Sequence, residues 1–134
     1  MKIKLDDGAM VSRAHPLDAG LDLYAMEDRW IRPYDREFFD TGVHAEIPEG
    51  AVGFVKSRSG LMKKGVTTDG TIDTGYTGSI GVVLFNHSGS NIMVKAGERI
   101  AQLVIVPCLL PELEVVDELS PTDRGDNGFG STGR

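Results

Sequence analysis

The sequence predicts an all-β domain. Its apolar residues fall in short segments, turn residues separate nearly all of them, and a single stretch has helical character. The expected strands are 3–5, 21–26, 29–32, 43–47, 51–56, 71–73, 80–86, 91–95, 99–106 and 113–117. Between them lie "DDG", "EDR", "PEG", "TDG", "TGYTG", "HSGSN" and "KAGE", rich in the residues that tight turns select. Many short strands at this spacing indicate a sandwich or barrel. The one expected helix, "SGLMKKG" (59–65), starts at Ser59 as N-cap and closes on Gly65. "IGVVLFN" (80–86) is apolar without alternation, so both its faces are expected to be buried. In so small a domain, that predicts a second subunit covering one side.

Bulk composition narrows the function. A chain of 134 residues makes one domain, with no repeat and no linker. A net charge of −6 excludes a general nucleic-acid binder, which needs a basic surface. An anionic ligand must then be held by a few placed arginines, backbone N–H groups or a metal ion. The lone Cys108 excludes an internal disulfide, suits a reducing compartment, and reads as a small core hydrophobe. "MKIKLDDG" has no apolar signal region, and no apolar run reaches membrane-spanning length. A soluble, cytoplasmic protein is expected. Seventeen glycines are nearly twice ordinary usage, and close backbone approach to a ligand is one use for the excess.

Five stretches carry polar residues where chemistry could sit. In "AGLDLYA" (19–25), Asp22 faces away from Leu21 and Leu23, which would suit a solvated strand face. In "RSGL" (58–61), Arg58, Ser59 and Gly60 stand at a helix start, where free N–H groups favour an anion; Ser59 could equally be only a cap. "GTIDTGYTG" (70–78) reads as a hairpin turn in which Asp73 either caps backbone or orients water, with Tyr76 offering a flat ring. In "GERIAQLV" (97–104), Gln102 sits in an apolar strand, satisfied by backbone or aimed at a ligand. The tail "DRGDNGFGSTGR" (123–134) is too glycine-rich to hold a shape alone, yet it carries Phe129 between Arg124 and Arg134. The three histidines are scattered, which argues against zinc.

Together and in this order, the five stretches resemble the five motifs of the trimeric dUTP pyrophosphatase (dUTPase) family, from about residue 16 to residue 134. The resemblance implies a jelly-roll-like β-sandwich with one short helix, assembled as a homotrimer. It divides the chain into a domain over 1–122 and a flexible lid over 123–134. Each site would draw motifs one, two and four from one subunit, the hairpin from a second and the tail from a third. The implied reaction is attack of water on the α-phosphorus of dUTP, giving dUMP and pyrophosphate.

By that resemblance Asp73 orients and deprotonates the water, and Asp22 holds Mg²⁺ through water ligands. Arg58, Ser59, Gly60 and Gln102 meet the phosphates, and Gln102 takes part in the catalytic set. Backbone at Gly70, Thr71 and Ile72 reads the uracil edge, and Tyr76 lies beneath the deoxyribose. Phe129 stacks on the base, Arg124 meets the terminal phosphate, and Gly130 and Ser131 wrap the triphosphate. Two positions depart from the common pattern. Thr67 stands where many members have asparagine, and Ser57 where many have proline before Arg-Ser-Gly. A deoxycytidine triphosphate deaminase has a similar hairpin, but its acid would fall in "GVVLFN", at Val83. A non-enzymatic scaffold would be expected to lack Asp73 or the tail, and both are present.

Overall fold

The structure, a computed structural model, describes residues 1–128 and Gly130. Its strands are β1 (Ile3–Leu5), β2 (Val11–Ser12), β3 (Gly20–Tyr24), β4 (Arg29–Ile31), β5 (Arg36–Asp40), β6 (Val43–Ala45) and β7 (Ala51–Ser57). After α1 (Ser59–Met62), the one helix among the described residues, come β8 (Val66–Thr67), β9 (Asp69–Ile72), β10 (Gly81–Asn86), β11 (Ile92–Val94) and β12 (Arg99–Pro107). A five-stranded antiparallel sheet runs in the order β2-β3-β12-β7-β9. A three-stranded sheet, β5-β10-β8, and two ribbons, β1-β6 and β4-β11, complete the fold.

The core lies where alternate residues of these sheets meet. Leu23, Val55, Ala101 and Leu103 point in from the large sheet, and Phe39, Val66, Val82 and Leu84 from the small one. Each large side chain among them contributes about 1.5–3 kcal/mol by leaving water.

Several expectations are corrected. Within one chain "GVVLFN" buries one face, through Val82, Leu84 and Asn86, while Val83 and Phe85 lie on an open face beside Phe38, the side for which a covering subunit is expected. The helix is one turn long, and its N-cap is Arg58 with no side-chain cap bond; Ser59 is the first helical residue. The turns after it do close on Gly65, at φ 79°. Residues 113–117 form no strand. Leu113 is 93% and Val115 99% exposed, and the segment pairs with none of the strands of this chain. Cys108 is half-buried beyond the core, its thiol 3.5 Å from the Leu109 carbonyl. Among the described residues no helix is long and apolar enough to cross a membrane.

Candidate active site

One polar row crosses the outward face of the large sheet. Gln102 on β12 lies directly opposite Asp22 on β3 and Lys56 on β7, and Ser12 and Asp69 extend the row to both edges. Residues opposite one another share a face, so the row is set by the same registers that send Leu23, Leu103 and Val55 inward.

Asp22 is far from a solvated strand residue, at only 5% exposed. A carboxylate buried to that degree needs ionic partners. The Arg58 guanidinium pairs with Oδ1, and Arg99 Nη1 lies 3.3 Å from Oδ2. Burial first, then the like charge of Arg99, lowers the Arg58 pKa from its ordinary value. The group stays charged, since arginine does not deprotonate in proteins. Arg99 escaped the sequence reading because its parity matches Ala101 and Leu103, which point inward.

Beside this trio opens a cavity of about 320 Å³, lined in part by Gly20, Asp22, Arg58, Ser59 and Gln102. That is the lower end of the range for small-molecule pockets, about 300–1,000 Å³. The Gln102 amide donates to the Ser57 carbonyl at 3.3 Å, and its side chain lines the cavity. The backbone alternative for Gln102 therefore holds. Gly20 is required here by contact: a Cβ on it would lie 2.5 Å from Gln102 Oε1 and 2.9 Å from Gln102 Cβ. With one helical turn, α1 has almost no dipole to offer, and Arg58 and Arg99 supply the positive charge.

A second group of motif residues lies elsewhere on the chain. The segment 66–86 is a hairpin only at its root, where Val66 and Thr67 pair with Asn86 and Phe85. Above that, β9 pairs with β7 and β10 with β5, so no ladder joins the two arms. The expected continuous hairpin is thus parted, leaving backbone of Gly70, Thr71 and Ile72 beside the opening. At its root the Thr68 hydroxyl is buried with no hydrogen-bond partner among the described residues.

Both departures from the family pattern are hydrogen-bonded at this root. The Ser57 hydroxyl donates to the Thr68 carbonyl and accepts from the Thr68 N–H, each at 2.8 Å. Thr67 Oγ1 and His87 Nε2 are 2.7 Å apart. Proline at 57 could make neither bond to Thr68.

The turn 73–80 between the arms carries Asp73 and Tyr76, both exposed. It is pinned at four places. Thr74 Oγ1 donates to the Ala51 carbonyl (2.8 Å), and His44 Nδ1 donates to the Thr77 carbonyl (2.8 Å). The Ser79 hydroxyl donates to Asp40, and the Ile80 carbonyl accepts from Thr41 Oγ1 (2.7 Å). The Tyr76 ring folds back over Gly78, its hydroxyl donating to the Ser79 carbonyl at 2.9 Å. A Cβ at Gly78 would come within 2.5 Å of that hydroxyl, so a larger residue would displace the Tyr76 ring from this position.

The two groups do not meet on one chain. Asp73 is one residue past Ile72, which pairs with Gly53, and Gln102 pairs with Lys56. Two strand spacings and four residues of rise put Asp73 about 16 Å from Gln102. The tail stays apart as well: Arg124 Nε donates to the Asn127 carbonyl at 2.9 Å and touches neither group. Gly130 has φ 81°, and Phe129, Ser131 and Arg134 lie outside the described residues.

The fold and site define a β-sandwich with an arginine-bound buried carboxylate and a parted Gly-rich hairpin, and comparison with known proteins specifies its family. The dUTPase family model matches residues 6–133. This chain belongs to the dUTPase family. It is 45% identical to the deoxyuridine 5'-triphosphate nucleotidohydrolase of Clostridium tetani, with 100% of this chain and 97% of that protein covered. The Staphylococcus bacteriophage 80alpha dUTPase with dUpNHpp superposes at a TM-score of 0.91 and 34% identity, covering 99% of this chain and 98% of its own. A variant dUTPase from phage phi11 of S. aureus, whose structure shows the coordination of a structural Mg(II) ion, superposes at 0.80 and 31% identity, covering 87% and 96%.

Proposed function

We propose that this chain hydrolyses dUTP to dUMP and pyrophosphate, by attack of water on the α-phosphorus, in sites shared between the subunits of a homotrimer. The observation that carries the reading is the division just described. One chain presents an arginine-lined cavity and, on a parted hairpin, an aromatic ring and a carboxylate, Asp73, about 16 Å from Gln102. Two copies, each lending one half, supply what a nucleoside triphosphate needs at its two ends.

In this reading Arg58, Ser59, Gly60 and Gln102 bind and align the phosphates, Arg58 by charge-assisted bonds. Backbone of Gly70, Thr71 and Ile72 reads the uracil edge, leaving no room for the methyl group of thymine. The Tyr76 ring underlies the deoxyribose and excludes a 2′-hydroxyl. Asp73 takes the proton of the attacking water. The tail over 123–134 closes as a lid from a third chain, Phe129 on the base, and Arg124, Gly130 and Ser131 on the triphosphate.

The residues present fit Mg²⁺ bound through water. Asp22 against Arg58 and Arg99 leaves one net positive charge, too little for a triphosphate. Among the described residues no cluster of three metal-ligating side chains exists, which suits an ion held by one carboxylate and the substrate's own phosphates. When bound, Mg²⁺ supplies charge cancellation on the phosphates. The setting proposed is the cytoplasm, with no membrane and no nucleic-acid partner.

The test is pyrophosphate release by the purified protein from each deoxynucleoside triphosphate, and from UTP, with Mg²⁺. dUTP is turned over, and dTTP, dCTP and UTP are poor substrates, because a hydrogen-bonding site rejects mismatched donors strongly. Comparable turnover of dCTP and dUTP would sink the hairpin readout.

A further inference from the structure

His44 on β6 stands between two acceptors. Its Nδ1 is 2.8 Å from the Thr77 carbonyl, and its Nε2 is 3.1 Å from Asp6 Oδ2. Neither partner can donate: one is a backbone carbonyl and the other a carboxylate. A neutral imidazole has one N–H, so in that form one lone pair faces an acceptor across a hydrogen-bond distance. Only the doubly protonated ring satisfies both contacts. Its side chain is 18% exposed, so solvent offers little substitute.

Thr77 lies next to Tyr76 in the 73–80 turn, and the bond to its carbonyl is one of those that pin this turn. The neighbouring pin is also ionic, since Asp40 accepts from the Ser79 hydroxyl and from Gly42 N–H at 3.1 Å. We propose that His44 is a positioning residue for catalysis: its imidazolium form holds the turn that carries Asp73 and Tyr76, and turnover falls when the ring loses a proton. The inference rests on the roles given to Asp73 and Tyr76 above. When the proton leaves, the Asp6 carboxylate is the stronger acceptor and keeps its N–H, so the Thr77 carbonyl is the partner that loses its donor.

The charged groups around the ring favour the cation. Asp6 faces it from the β1–β2 connection, and Asp40 acts on it from the end of β5. Lys4 on β1 opposes them but is itself drawn to Asp6 at 3.6 Å. Lys2 and Glu46, farther along the same groove, pair with each other at 3.2 Å. The Thr77 carbonyl first, then Asp6, raise the His44 pKa above its ordinary 6.5. The stabilisation is therefore complete below the unfolded-state value and is lost as pH rises through the folded-state value.

The experiment has two arms. In the first, kcat for dUTP is followed against pH for the wild type, His44→Ala and His44→Asn. Asparagine places an uncharged donor where Nδ1 sits. The wild type loses activity about ten-fold on an alkaline limb, His44→Ala is low throughout with no limb, and His44→Asn is active with the limb flattened, a size of loss typical for a misplaced catalytic group. Superimposable profiles for wild type and His44→Ala overturn the inference. In the second, NMR of the wild type without substrate follows the His44 ring and the Tyr76 and Thr77 amides. All titrate together above 6.5, and Asp6→Asn lowers the midpoint. Turn amides that ignore the ring's titration overturn the inference. Failure of the wild type to hydrolyse dUTP at any pH overturns the dUTP reading instead, and the spectroscopic arm still decides whether His44 holds the turn.

Discussion

Arg99 reaches the Asp22 carboxylate, Nη1 to Oδ2 at 3.3 Å, because the ladder between β12 and β3 slips by one residue. Arg99 pairs with Tyr24 and Ala101 with Leu23, leaving Ile100 as the extra residue of a β-bulge. Without the bulge Arg99 would share the parity of Ala101 and Leu103 and point into the core. With it, Ile100 and Ala101 are both buried, and Arg99 turns outward to Asp22. One irregularity thus places a second guanidinium against the buried carboxylate.

Gly20 tests how tightly that cavity is built. Gly20→Ala puts a methyl group against Gln102 Cβ and Oε1, and Gln102 must move. The expected result is a folded protein whose kcat/KM for dUTP drops by about ten- to a hundred-fold, as for a small misplacement of a binding group. Steady-state kinetics beside a thermal melt separates the two effects. Full activity would show that Gln102 does not need its present position.

Asp73→Asn lowers kcat by about 10²–10⁴, the usual worth of a positioned general base, with little change in dUTP affinity. The side chain is exposed, and its backbone carbonyl accepts the Tyr76 N–H at 3.1 Å, so the substitution leaves the turn's own bonds intact. A normal kcat with a lowered melting temperature would make Asp73 a turn residue and nothing more.

Separated half-sites make mixing informative. Asp73→Asn and Arg58→Ala chains are each expected to be inactive, but they should complement one another. After denaturation and joint refolding in equal amounts, random pairing gives about a quarter of the sites both intact halves, following the symmetry of a closed ring. Light scattering should give about three times the 14.5 kDa chain mass. No recovered activity, or a mass near one chain, would refute the shared site.

Cutting the chain after Asp123 removes Arg124 and Phe129 but no strand or helix formed by the described residues. Folding and assembly should survive, while activity falls by orders of magnitude with loss of water exclusion and phosphate contacts. Phe129→Ala alone should cost about 1–3 kcal/mol, the scale of aromatic–base stacking. Turnover of dUTP by the truncated chain at the full rate would make the tail a frayed end.

Most strands were legible because each combines an apolar segment with punctuated ends, as β7 and β12 do. β5, "REFFD", was not: only Phe39 points fully inward, and charged residues at both ends hide a strand held by its register with β10. β2 and β8 are two residues each, too short for any periodicity. Residues 113–117 show the opposite case, a strand-like pattern that pairs with no strand of its own chain and stays exposed. In the site, motif spacing pointed to Asp22, Arg58, Ser59 and Gln102, which the fold does gather around one cavity. Arg99 was hidden by a bulge that residue alternation cannot reveal. His44 was passed over as a scattered histidine, since its two acceptors come from distant parts of the sequence.

The Ser57 hydroxyl, bonded twice to the Thr68 backbone, joins the strand leading to Arg58 with the root of the parted hairpin. With shared sites, those two ends of one chain serve different substrate molecules. The hydroxyl is then a mechanical link between neighbouring catalytic events, and its strength caps what it can transmit. Two net hydrogen bonds are worth about 1–3 kcal/mol. A coupling of that size changes affinity by about 5- to 150-fold at most. Any cooperativity among the sites that travels by this route is bounded accordingly, and Ser57→Ala would remove this link without touching either ligand, leaving the β7–β9 ladder in place.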